Sequence, residues 1–174
     1  MRIPTQAIDM IKGYEEFKPT PYICPAGQWT IGYGTSYYVQ DGRAVTKDDP
    51  PISEGEAFYQ LYATCACKCA RIIEDFQEMC GRKFNDNELT ALYSLLYNIR
   101  KANGFCKTNC AAAIARGDTK EAMRQWDWFH AKKDGKTEIL PGLIERRNKE
   151  IELFFGVKDY WKVRKINGRY ELII

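Results

Sequence analysis

Between residues 5 and 17 the apolar side chains Ala7, Ile8, Ile11 and Tyr14 recur three and four apart, which predicts an amphipathic helix over 5–17. Pro19 and Pro21 stop it. The period then changes. "WTIGYG" and "SYYVQ" are aromatic and β-branched, "QDGR" is a turn signal, and residues 28–46 read as short antiparallel strands closed by "DDPP". Helical spacing returns after Ser53, which with Glu56 fits a capping box. Phe58, Leu61, Tyr62, Cys65, Cys69, Ile72, Ile73, Phe76 and Cys80 carry it to residue 80. At about 1.5 Å per residue, such a helix is long enough to connect two lobes. Further helices are expected over 89–99, 107–116, 119–128 and 142–155. Asp118 and Glu121 form a second capping box, and Gly142 and Gly156 flank the last helix.

The tail "YWKVRKINGRYELII" alternates on both sides of Asn167-Gly168, a strong hairpin signal. One face carries Trp161, Val163, Tyr170 and Leu172, with Lys162, Arg164 and Arg169 between them. Two readings stand: a cover over part of the domain, or a basic aromatic contact to a wall polymer. The whole pattern is α+β. A small antiparallel sheet lobe (about 17–52) precedes a helical lobe (about 53–156), and residues 157–174 form a C-terminal β-hairpin extension.

Composition narrows the function classes. The 174 residues are 45% hydrophobic, enough for a proper core, and the net charge of +3 is too mild to indicate nucleic acid. No window of about 18 uncharged apolar residues exists, so no membrane span is expected. The start has no apolar h-region or small-residue cleavage site, which points to synthesis in a cytoplasm without a signal peptide. Seven cysteines cannot all pair within one chain and read as mostly reduced thiols.

The "CACKC" run places Cys65 and Cys69 on one helical face and Cys67 elsewhere. Structural zinc sites favour wider gaps and a second ligand pair, so core packing is the reading for these thiols, with a zinc or redox protein as a minor alternative. Cys106 and Cys110 have the same spacing and the same reading. His130, the single histidine, has no matching ligand set and reads as a surface residue. No metal or cofactor is expected.

The two neighbouring acids Glu15 and Glu16 are not equivalent. Glu15 lies four residues after Ile11 and seven after Ile8, on the inward face, whereas Glu16 lies four after Lys12, on the polar face. Glu15, Cys24 and Thr30 then form an ordered set. Glycoside-cleaving sites usually need two facing carboxylates, and here a cysteine stands where a second acid might be expected.

The pattern E-x8-C-x5-T followed by "IGYG", with Tyr22 and Gly27 between, resembles the catalytic signature of phage-type lysozymes and endolysins, glycoside hydrolase family 24. "YNIRKANGFCKTNCAAAIARGDTKEAMRQWDWF" resembles that family's helical-lobe segment, and "PGLIERRNKEIELFFG" its "GLxxRRxxE…LF" helix. The resemblance covers residues from about 6 to 156. It implies a lysozyme-like two-lobe fold and hydrolysis of the β-1,4 bond between N-acetylmuramic acid and N-acetylglucosamine. The implied partner is the peptidoglycan glycan strand, met after holin-type release or lysis, by a chain acting as a monomer.

By the same resemblance Glu15 is the general acid, Thr30 helps hold the attacking water, and Cys24 occupies a position that is usually Asp, with Cys a known variant. Tyr22, Tyr33, Asn98, Phe105 and Arg146 are implied in substrate binding, Arg146 also as charge partner of Glu15. The family often has His after "IGYG", where this chain has Thr35. A general acid at neutral pH needs a carboxyl whose pKa is raised by partial burial, and a nearby arginine pulls the other way. The alternative reading is a wall-binding module whose active site has been lost at Cys24.

Overall fold

The structure is a computed structural model and describes residues 1–24, 27–99, 101–133, 136–166 and 169–173. Its contacts divide the chain into two compact units, Met1–Arg71 and Ile72–Ile174. The architecture is α+β, with small antiparallel hairpins among helices.

The first unit opens with α1 (Thr5–Glu15), whose Ala7, Ile8 and Ile11 are buried. It stops two residues earlier than the spacing suggests, because Glu16 turns out of helical geometry at φ 52° while its N–H still reaches Lys12 O. The chain returns at once as β1 (Lys18–Ile23), antiparallel to β2 (Trp29–Gly32). No strand was expected over 18–23. Pro19 and Pro21 lack N–H donors, but a strand with only one neighbour tolerates them, and the register is irregular between Lys18 and Tyr22. Of the expected strands over 28–46, Trp29–Gly32 is the one that forms. Beyond it the chain makes isolated bridges, Ile31 with Thr35 and Tyr37 with Ala44.

Helix α2 (Glu54–Thr64) starts at the anticipated capping box, both halves of which are made. The "CACKC" run, Cys65–Cys69, is a π-helical turn, and α3 (Ala70–Cys80) follows directly. The inserted turn keeps Cys65 and Cys69 fully buried and Cys67 exposed. A hydrogen bond with Cys69, added to burial, holds the Cys65 thiol far above its ordinary pKa, so it stays protonated. Among the described residues no group of three potential ligands is placed to hold a metal ion.

In the second unit α4 (Asp86–Asn98) is buried without a break from Glu88 to Leu96, as a helix surrounded by others must be. Asn85 and Glu88 give it a capping box that the sequence reading did not single out. It packs along α7 (Pro141–Phe155), which begins with Pro141 so that Gly142 lies inside the helix. A 3-10 turn (Ala102–Lys107) and α5 (Asn109–Ala115) replace the single helix expected over 107–116, split where Thr108 caps α5. Cys106 and Cys110 therefore sit on different elements.

Helix α6 (Thr119–Arg124) is shorter than expected. After it comes an unanticipated hairpin of β3 (His130–Lys133) and β4 (Lys136–Ile139). The C-terminal hairpin forms from β5 (Lys162–Ile166) and β6 (Arg169–Ile173), pairing Val163 with Leu172. Its Asn167-Gly168 turn lies outside the described residues. Trp161 fastens this hairpin to the unit: its Nε1 donates to Trp126 O at 3.1 Å and its ring meets Phe129 edge-on. Asn148 bonds its backbone on both sides. No helix of the described residues is long and apolar enough to cross a membrane.

Candidate active site

Helix phase carries Glu15 to the last turn of α1, half-buried, while Glu16 is exposed. The Glu15 carboxylate lies against the α-carbon of Gly34: a β-carbon there would stand 3.0 Å from Oε2 and 3.4 Å from Cδ. Gly34 has φ 86° and Gly32 has φ 65°, and a β-carbon on Gly32 would meet Ala57 Cβ at 2.8 Å. Both glycines of "IGYG" are thus required twice, for left-handed backbone and for close approach. One lets the loop pack on α2, and the other leaves room for the acid.

Across the hairpin, Tyr22 pairs with Thr30 and Ile23 with Trp29. One backbone oxygen ties Cys24 to Thr30. The Gln28 carbonyl accepts the Cys24 N–H at 2.9 Å and the Thr30 hydroxyl at 3.1 Å. Thr30 is 3% exposed, and because its only proton goes to Gln28, its lone pairs remain to accept from another donor. The Tyr22 phenol is pushed up, first by burial and then by electrostatic repulsion from Glu15 and Cys24. Glu15, Tyr22 and Cys24 therefore share one neighbourhood, with Thr30 beside Tyr22 on the next strand.

Tyr33, expected to touch substrate, is buried with its hydroxyl donating to Glu54 Oε1 at 2.5 Å. Lys12 reaches the same carboxylate at 3.2 Å and lies over the Tyr33 ring, so this tyrosine braces α1 and α2.

In the second unit, Asn98 ends α4 half-buried and accepts from Arg147 Nη2 at 3.2 Å. Phe105 corrects the expectation of a sugar contact: it is fully buried, edge-on to Phe76 at 5.1 Å and 6.1 Å from Trp128, and is a core residue. Arg146 is 2% exposed and is held by Ser94, Nε to Oγ at 3.1 Å and Nη2 to O at 2.9 Å. Sequence reasoning missed Gly34, the Gln28 carbonyl and Ser94. Only Gly34 carried a signal, the glycine spacing in "IGYG".

The phage lysozyme family profile matches residues 12–150. The chain is 30% identical over 155 residues to an endolysin of Acyrthosiphon pisum secondary endosymbiont phage 1, covering 88% of this chain and 98% of that protein. Among solved structures it is similar to the endolysin from Escherichia coli O157:H7 phage FAHEc1, at a TM-score of 0.68 and 25% identity over 91% of this chain and 96% of that one. The muramidase domain of SpmX from Asticaccaulis excentricus shares the fold, at a TM-score of 0.67 and 24% identity over 88% and 97%. The family profile spans most of the sequence, and this chain belongs to the phage lysozyme family.

Proposed function

We propose that this lysozyme-family glycosidase cleaves the β-1,4 bond between N-acetylmuramic acid and N-acetylglucosamine in peptidoglycan, with Glu15 as general acid. Glu15 protonates the leaving oxygen. A water held by a hydrogen bond to Thr30, beside Cys24, attacks the opposite face of the sugar as the glycosidic C–O bond breaks, inverting the anomeric centre; its proton passes to solvent, from which Glu15 is reprotonated. The observation that carries this reading is the arrangement in the first unit. A half-buried carboxylate is seated on Gly34, and the Gln28 carbonyl orients Thr30 and the backbone of Cys24 together.

Cys24 contributes least chemistry in this scheme. A neutral thiol is a poor base and a weak hydrogen-bond partner, and its role is to line the place where the water stands. Tyr22 and Asn98 contact the glycan strand; Arg146 is buried on Ser94. Residues 1–156 form the catalytic domain and 157–174 an accessory hairpin. The enzyme meets the wall after holin-type release or lysis and acts as a monomer.

Reducing-sugar release from purified peptidoglycan tests the proposal. The parent protein releases reducing ends, and Glu15→Gln lowers the rate by about 100-fold or more while keeping its circular dichroism spectrum. Binding to peptidoglycan without release of reducing ends would replace this reading with that of a wall-binding module.

A further inference from the structure

One carboxylate oxygen joins three elements of the first unit. Glu54 Oε1 accepts the Tyr33 hydroxyl at 2.5 Å and the Lys12 ammonium at 3.2 Å. Glu54 is the first residue of α2, Tyr33 follows the end of β2, and Lys12 lies in the last turn of α1. Glu15 belongs to the same unit. A donor that meets an ionised acceptor makes a stronger and better-directed bond than a neutral pair.

The two donors are the two supports of Glu15. The Lys12 carbonyl accepts the Glu16 N–H at 3.2 Å, which closes the turn of α1 that carries Glu15. Tyr33 immediately precedes Gly34, against which the Glu15 carboxylate lies. The Tyr33 ring is buried, 5.6 Å from the Phe17 ring and 5.2 Å from Lys12 Nζ above it. It therefore touches a residue before Glu15 in the chain and a residue after it.

The loop needs such a hold. Tyr33 stands between Gly32 at φ 65° and Gly34 at φ 86°, and glycines leave the backbone its greatest freedom. Close packing on Ala57 fixes the Gly32 side. The Tyr33 side chain supplies an anchor next to Gly34. The Lys12 and Glu54 side chains are 34% and 60% exposed, and exposed ion pairs add little to stability. What this contact fixes is a position.

We propose that Glu54 is a positioning residue for glycan cleavage: its Oε1 ties the helical turn that aims Glu15 to the loop that seats the Glu15 carboxylate. This rests on the proposed role of Glu15 as general acid. Without Glu54, Lys12 and Tyr33 lose their common partner, and the last turn of α1 and the Gly34 backbone move independently. Small misplacements of a reacting group are costly in rate.

The experiment compares the parent protein with Glu54→Ala, Glu54→Gln, Tyr33→Phe and the double variant Tyr33→Phe/Glu54→Ala. Glu54→Ala is expected to keep the parent's circular dichroism spectrum and to lose about ten-fold in kcat, with KM changed less than about three-fold. Glu54→Gln keeps an acceptor oxygen and regains most of the rate. Tyr33→Phe also lowers kcat. The double variant is no slower than Glu54→Ala alone, because both changes act through one oxygen. Independently of activity, NMR should show exchange of the Glu16 N–H at least about three-fold faster in Glu54→Ala, since the last turn of α1 opens more often.

A parent-like kcat in Glu54→Ala, a loss confined to KM, additive losses in the double variant, or unchanged Glu16 exchange overturns the proposal. So does an unfolded Glu54→Ala, which would make the contact a folding requirement. Failure of the hydrolytic reading shows differently, as an inactive parent protein whose Glu16 exchange still responds to the substitution.

Discussion

Gly34 is the floor on which the Glu15 carboxylate rests: a β-carbon at residue 34 would stand 3.0 Å from Glu15 Oε2. The two residues lie on different elements, the last turn of α1 and the loop after β2, and the absent side chain is what lets them meet.

Gly34→Ala is therefore expected to harm the enzyme in two ways. The backbone at φ 86° strains any side chain, and the added methyl displaces the acid. A loss of about 1–3 kcal/mol in urea unfolding is expected. Because small misplacements of catalytic groups are costly, kcat falls by on the order of 100-fold. A variant with parent-like kcat would mean that the position of Glu15 on Gly34 does not matter to the reaction.

Cys24 is tied to Thr30 through the Gln28 carbonyl by its backbone, which any residue retains. Cys24→Asp is expected to keep activity, and Cys24→Ala to stay within about ten-fold of the parent, the lower edge of what a general base contributes. Intact-mass measurement during turnover should show no sugar bound to the protein. A glycosyl adduct on Cys24 would establish a covalent route instead.

Thr35 is 5% exposed, and its hydroxyl makes no hydrogen bond with any group among the described residues. A buried unsatisfied hydroxyl costs about 1–3 kcal/mol, and valine has nearly the same shape. Thr35→Val should raise the urea midpoint by an amount equivalent to about 1 kcal/mol. A lowered midpoint would show that the hydroxyl is satisfied after all.

The thiol of Cys110 is pushed up to about 12, first by burial and then by the charge of Asp127. Below its ordinary value of 9.0 the group is protonated in both folded and unfolded chains and adds no pH dependence. Above that, the unfolded chain releases a proton that the folded chain keeps, so stability falls as pH rises from 9 towards 12. Cys110→Ala should flatten this decline by up to one proton's worth, about 1.4 kcal/mol per pH unit. Urea titrations between about pH 8 and 11 read the slope, and an unchanged slope would contradict the assignment.

Local periodicity carried much of the molecule. The spacing in α1 distinguishes Glu15 from Glu16 because burial of Ile8 and Ile11 fixes the helix phase, and the phase fixes where residue 15 points. Ser53 with Glu56 marks the start of α2, and alternation around residues 167 and 168 marks β5 and β6, because caps and strand faces are decided by neighbours in sequence.

What tertiary structure alone decided depends on residues far apart in the chain. Lys18–Ile23 becomes a strand despite two prolines because β2 arrives beside it. Phe105 looks the same in sequence whether it faces a sugar or Phe76, and packing chose Phe76. Ser94 and Arg146 are 52 positions apart, and nothing local to either announces that one will clamp the other. The sequence alone therefore determines which side of an element is buried. Which buried groups meet is set only when the chain closes, since a buried donor must take whichever acceptor the packing brings to it.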